Sequence, residues 1–255
     1  MYRKSPTIAL IILTLVSLPL SAQKKVALPK PSHANVKYGA HERQLLDIWL
    51  AETEKPTPVV VFIHGGGFTS GSKKQAAKGQ RTALKYFLDS GVSFAAISYP
   101  LKHSAKKSVK NPVPWPDIFP AAARAIQYIR YKSKQWNIDK QRFAVYGSSA
   151  GSGLTLWAAF HDDIADPDNR DPVLRESSRP TIVGSNVGQA SYDFRDWPEI
   201  LKMNNEFVNP KRGAATLAEM LLLDNIKDLA KPEIKAQIKE YLDIPALISK
   251  DDPPV

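Results

Sequence analysis

The pentapeptide Gly147-Ser148-Ser149-Ala150-Gly151 sits between two segments of different periodicity, and that placement limits the fold more than any other feature of the chain. Arg142 to Tyr146 (RFAVY) reads as a short strand, and Ser149 to Phe160 reads as a helix. A strand that passes into a helix within so few residues needs a sharp turn. Bulky side chains two positions either side of Ser149 would clash in such a turn, and glycine occupies both positions. The change of periodicity recurs along the chain. Gln44 to Leu50 reads as a strand, and Val59 to Ile63 (VVVFI) has the continuous apolar character of a strand covered on both faces. Ser72 to Leu88 places Ala76, Ala83, Leu84, Phe87 and Leu88 at helical spacing, and Gly91 ends it. Val92 to Tyr99 is the next strand. Ile118, Ala122, Ala125, Ile126 and Ile129 share one face of a helix, and Thr181 to Val187 is a further strand. Strands alternating with helices imply right-handed crossovers. The fold class is therefore α/β, with a mostly parallel sheet and helices on both faces.

Composition narrows the chemistry. A chain of 255 residues with 43% hydrophobic and 24% charged residues can bury a large core, which excludes disorder as its main state. Cysteine is absent, so disulfide scaffolds, thiolate metal sites and a cysteine nucleophile are excluded. The net charge of +10 is concentrated locally. Between Ser72 and Asn111 stand Lys73, Lys74, Lys78, Arg81, Lys85, Lys102, Lys106, Lys107 and Lys110 against the single acid Asp89. No nucleic-acid motif or interleaved aromatic pattern accompanies them, so this stretch reads as a solvated helix face and loop. The acidic loop with Asp162, Asp163, Asp166, Asp168 and Asp171 lacks EF-hand spacing and reads as solvated carboxylates.

The N-terminus reads as a secretory signal over residues 1–22. Arg3 and Lys4 precede an apolar run from Thr7 to Leu20, and Ser21-Ala22 offers small residues for cleavage. The run is shorter than the ~20 residues that span a bilayer comfortably. The expectation is a secreted or periplasmic protein that meets a membrane only during export. Residues 23–34 read as a polar lead-in and residues 35–255 as the folded domain. Within it, residues 188–243 hold two helical stretches, Ala214 to Leu223 and Pro232 to Leu242. The aromatics Tyr192, Phe194, Trp197, Phe207 and Tyr241 of this region read as packing, with an acyl pocket as the other reading.

A second motif, His64-Gly65-Gly66-Gly67-Phe68, follows the strand Val59 to Ile63. Acyl transfer needs donors where a carbonyl oxygen becomes an oxyanion, and consecutive glycines let backbone N–H groups approach that point. With Ser149 on its turn, the chain resembles the α/β-hydrolase fold. More narrowly it resembles serine esterases with an HGGG oxyanion loop, the hormone-sensitive-lipase-like group and related polysaccharide esterases. Trp157 to Pro167 and Ser249 to Val255 are also similar to secreted bacterial hydrolases of this kind. The resemblance implies Ser149 as catalytic nucleophile and the N–H groups of Gly66, Gly67 and Ala150 as the oxyanion hole. It gives His64 a structural role and implies no cofactor and no metal. The implied partner is a small-molecule or glycan ester, with acetyl or feruloyl esters of polysaccharides as substrates and no nucleic acid. Residues 188–243, with no clear strand between their helical stretches, read as a helical insertion after the sixth strand, over one edge of the sheet. One departure is Tyr99-Pro100-Leu101, where the family often has Tyr-Arg.

The family orders its triad as Ser, then Asp or Glu, then His. The acid usually follows a strand that would begin here at Pro253 or Pro254, and no histidine occurs after His161. His161 lies roughly 18 Å along the helix from Ser149, too far for a general base. His33, His41 and His103 read as surface or structural residues. Asp193 and Asp196 stand as substitute acids without a histidine to orient. The expectation is a C-terminally truncated hydrolase, its last strands missing, inactive in the 255-residue form for lack of catalytic acid and histidine. The alternative reading is a non-catalytic hydrolase-like protein whose 72–111 region binds an anionic glycan or membrane surface.

Overall fold

The computed structural model describes residues 27–104, 108–189, 191–206 and 208–255, so the leader expected over residues 1–22 lies outside them. Six strands form one sheet among the described residues: β1 (His33–Lys37), β2 (Leu45–Trp49), β3 (Thr57–Ile63), β4 (Ser93–Ile97), β5 (Ile138–Ser148) and β6 (Ile182–Asn186). Their order is β1-β2-β4-β3-β5-β6. The β1–β2 and β2–β4 pairs are antiparallel, and the other three are parallel.

Period-two burial explains why helices lie on both faces. Val59, Val61 and Ile63 of β3 point with Ala95 and Ile97 of β4 into the larger core. That core also takes Ile118, Ala122, Ile126 and Ile129 of α3 (Ile118–Tyr131) and Leu154 and Trp157 of α5 (Ala150–Phe160). Val60 and Phe62 point the other way. With Trp49, Phe94 and Ala96 they pack against Ala77 and Leu84, which lie on α1 (Lys73–Gly79) and α2 (Arg81–Asp89). The one helix expected over Ser72 to Leu88 is thus two, broken at Gln80. Gly79 weakens helix propagation there, and the Gln80 carboxamide accepts the Tyr146 hydroxyl at 3.1 Å. A short α4 (Ser133–Trp136) leads into β5.

Strand β1 was not legible as a strand. Its residues are exposed or half-buried, so no apolar alternation marks it, and it begins inside the stretch read as lead-in. What holds it is pairing with β2 and the Asn35 N–H donated to the Asp47 carboxylate at 2.7 Å.

Beyond β6 the described chain is helical: α6 (Trp197–Ile200), α7 (Pro210–Met220), a 3-10 turn at Ile226–Ala230, α8 (Pro232–Tyr241) and a second 3-10 turn at Ile244–Leu247. Helix α7 starts four residues before the expected Ala214. Asn209 caps it by accepting the Arg212 N–H at 2.9 Å, and Pro210 supplies a preset first residue. Leu217, Leu229, Ile238, Leu242 and Ile244 join the larger core, and the Trp157 indole donates to the Glu240 carbonyl at 3.0 Å. This region therefore covers α5 beside the end of β5. Among the described residues no helix is long and apolar enough to cross a membrane.

Candidate active site

Ser149 stands at the junction of β5 and α5 with φ 53° and ψ −121°, a backbone conformation that costs on the order of 1–3 kcal/mol and persists only where neighbours enforce it. The Ser149 N–H donates to the Asn186 carbonyl of β6 at 3.0 Å, and its own carbonyl accepts the N–H groups of Ser152 and Gly153. A Cβ on Gly147 would lie 2.2 Å from the Gly151 carbonyl oxygen, and a Cβ on Gly151 would lie 2.2 Å from that of Ile63. The two flanking glycines thus let the turn close on itself and on the end of β3. The Ser149 side chain is half-buried, and among the described residues no hydrogen bond holds its hydroxyl.

The glycine loop after β3 meets this turn directly. A Cβ on Gly65 would come within 3.1 Å of the Ser149 Cβ. Gly66 has φ +120° and Gly67 φ +61°. The Gly66 carbonyl accepts the N–H groups of Thr69 and Ser70, each at 3.1 Å, which curls the loop back. Among the described residues, the N–H groups of Gly66, Gly67 and Ala150 have no acceptor. Gly67, Ser149 and Ala150 border one cavity of about 120 Å³, walled by Phe68, Tyr192, Phe194, Trp197 and Met220 with Gln189. Three of the five aromatics singled out in the sequence therefore line it. Tyr241 instead stacks on Trp157 at 5.8 Å, and Phe207 lies outside the described residues. Phe68 ends the quoted glycine motif, so its place was readable. Met220 and Gln189 carry no sequence signal, because tertiary packing alone brings them there.

His64 is buried beside this loop. Its Nδ1 donates to the Gly65 carbonyl at 2.7 Å, so Nε2 is the bare nitrogen, and Nε2 has no hydrogen-bond partner among the described residues. Burial pushes its pKa down to about 4. Between the ordinary value near 6.5 and this value, the unfolded chain binds the proton and the folded one does not. Stability is therefore full above pH 6.5 and is lost as the pH falls toward 4, by on the order of 3 kcal/mol. Urea unfolding from pH 7 to 4 is expected to show this slope, and His64→Gln to flatten it. An identical slope in the variant would remove His64 as the cause.

The other titratable residues considered from sequence lie elsewhere. His161 sits at the far end of α5, its ring tilted 35° against Trp157 at 4.3 Å, and 3.8 Å from Glu240. His33 stacks on Trp136, and His41 Nε2 bonds the Asn111 carbonyl at 2.9 Å. His103 is exposed, and among the described residues no histidine lines the cavity that holds Ser149. Asp193 is buried in an ion pair with Arg195, whose Nε donates to it at 2.8 Å. Burial and the neighbouring Asp193 raise the Asp196 carboxyl. Neither acid borders the cavity.

The solvated reading of the basic stretch needs correcting at one residue. Lys73 is 4% exposed, and its ammonium bonds Asp47 at 2.6 Å and the Asn35 carboxamide oxygen at 2.8 Å. Lys85 pairs with Asp89 and Lys110 with Glu42 at the surface, and Lys106 and Lys107 lie outside the described residues. The acidic loop is likewise partly structural: Asp163 accepts the Ser178 N–H at 2.8 Å, and Asp171 pairs with Arg124 at 2.5 Å.

A sheet in this order, with a serine on a strained turn after β5 and a glycine loop after β3, defines the α/β-hydrolase fold. Solved structures of that class superpose on it. The truncated form of a carbohydrate esterase from gut microbiota aligns with 90% of this chain and 77% of its own, with TM-score 0.63 and 20% identity. A thermophilic esterase of Thermogutta terrifontis aligns with 84% of this chain and 66% of its own, with TM-score 0.56 and 21% identity. The chain belongs to the BD-FAE family, an α/β-hydrolase esterase family whose model matches residues 46–255. Two curated relatives, both of Mycobacterium tuberculosis, are esterase LipC (27% identical over 166 residues, 64% of this chain) and the probable carboxylic ester hydrolase LipM (28% over 129 residues, 49% of this chain). The matches cover 38% and 27% of those relatives' own lengths.

Proposed function

We propose that this protein is an exported serine esterase that removes short acyl groups, acetyl foremost, from polysaccharide. One observation carries the reading: among the described residues the Ser149 hydroxyl and the N–H groups of Gly66, Gly67 and Ala150 have no hydrogen-bond partner, and Gly67, Ser149 and Ala150 border one small apolar cavity. Ser149 Oγ would attack the ester carbonyl carbon, and the carbonyl oxygen would take its charge among the N–H groups of Gly66, Gly67 and Ala150. The alcohol leaves, and water then releases the acyl group from Ser149. A cavity of about 120 Å³ suits an acetyl group better than the ring and propenyl arm of a feruloyl group. The carbohydrate-esterase likeness and the sequence leader support a glycan ester and a secreted or periplasmic site.

Among the described residues no histidine lines the Ser149 cavity, so in this reading the hydroxyl gives its proton to solvent and turnover is slow. Prolonged incubation with a fluorophosphonate, followed by intact-mass and peptide analysis, is expected to place one adduct on Ser149 and none in Ser149→Ala. The wild type is expected to hydrolyse p-nitrophenyl acetate faster than the octanoate. An unlabelled Ser149, or equal acetate turnover in Ser149→Ala, would sink the esterase reading. The glycan-binding alternative is the weaker one, because Lys73 of that stretch is buried and its exposed Lys85 and Lys110 are already paired with carboxylates.

A further inference from the structure

The glycine loop leaves the sheet at His64 and comes back to it at Gly71, and these two ends touch. A Cβ on Gly71 would lie 2.3 Å from His64 Nδ1 and 2.5 Å from the Gly65 carbonyl oxygen. His64 is held a second time by Tyr99, after β4. The two rings stack at 4.3 Å and 15°, and the Tyr99 hydroxyl donates to the His64 carbonyl at 2.8 Å. Gly71 and Tyr99 are thus the two supports of the residue from which the loop starts.

One side chain joins both supports. Arg43, between β1 and β2, donates from Nε to the Tyr99 carbonyl at 3.0 Å and from Nη2 to the Gly71 carbonyl at 2.8 Å. Its own place is set locally, since its N–H donates to His41 Nδ1 at 3.0 Å and the Gln44 N–H closes the turn on the His41 carbonyl. The side chain is half-buried and does not border the Ser149 cavity.

We propose that Arg43 is the positioning residue of the glycine loop. Its planar guanidinium fixes the returning limb at Gly71 against Tyr99. Through the Gly71–His64 contact it sets the Gly66 and Gly67 N–H groups opposite Ser149. The inference rests on the reading of those N–H groups as oxyanion donors. A guanidinium suits the task because its fork presents two donors in one plane, whereas a lysine ammonium is a single mobile point of charge.

Arg43→Met and Arg43→Lys test it by hydrogen–deuterium exchange and by kinetics. In Arg43→Met, peptides covering residues 64–72 are expected to exchange about tenfold faster, with peptides from β3 and α5 unchanged. Ser149 is expected to react with fluorophosphonate about tenfold more slowly, and acetate-ester kcat to fall with KM nearly constant. Arg43→Lys, which keeps the charge and one donor, is expected to lie between. Unchanged exchange in the loop of Arg43→Met overturns the proposal. Uniform acceleration across the sheet in Arg43→Met marks a general loss of stability, and then a loop-confined change in Arg43→Lys must appear or the proposal fails. Failure of Ser149 to label in the wild type would sink the esterase reading alone, because exchange still reports whether Arg43 holds the loop.

Discussion

Gly66→Val is expected to slow the reaction of Ser149 with fluorophosphonates and acetyl esters by about 10² to 10³, the usual loss when an oxyanion donor is misplaced. Gly66 has φ +120°, which L side chains rarely adopt. A Cβ there would also lie 2.2 Å from the Ser70 carbonyl oxygen, which is backbone and cannot rotate aside. The loop must therefore shift, and with it the Gly66 and Gly67 N–H groups proposed as oxyanion donors. Gly67 makes the internal control. A Cβ on Gly67 meets only the Thr69 hydroxyl, at 4.0 Å, so Gly67→Ala adds the strain of φ +61° alone, about 1–2 kcal/mol. Labelling rates measured side by side should rank wild type above Gly67→Ala above Gly66→Val. A Gly66→Val protein that folds and labels at the wild-type rate would remove Gly66 from the site.

Asp47→Ala is expected to be the most destabilising single change, by about 3–5 kcal/mol in urea unfolding, because it strands the Lys73 ammonium in the interior. Lys73 and Asp47 are 4% and 9% exposed and 2.6 Å apart. Among the described residues only Asn35 would remain as a partner for the Lys73 ammonium, and a neutral carboxamide does not offset a buried charge. The double variant Asp47→Ala/Lys73→Met removes both charges and should recover most of the loss. If the double variant is no more stable than Asp47→Ala, the pair is not the source of the effect. The pair also joins β2 to the start of α1. The Lys73 N–H donates to the Ser98 hydroxyl at 2.9 Å, so the loss would loosen the chain just beyond the glycine loop.

These two residues show where sequence reading stops. Gly66 could be singled out because its chemistry is local: glycines in a row after an apolar β-branched run have few structural uses. Lys73 could not. Followed by Lys74 and Lys78 it looks like another solvated cation, and only the approach of β2, 26 residues earlier, buries it. Strand β1 was missed for the same reason, since its exposed residues carry no alternation and its pairing with β2 is not local. The break at Gln80 was missed because Ser72 to Leu88 keeps one helical spacing across it.

From the residues alone followed the alternation of strands and helices, the serine on its glycine-flanked turn and the glycine loop, because each depends on backbone geometry within a few positions. Tertiary structure alone decided which walls enclose the small cavity, that Asp193 is taken by Arg195, and that Arg43 reaches two carbonyls 28 and 56 residues away. Those contacts depend on how distant segments pack, and packing at a distance leaves no periodic trace in a sequence.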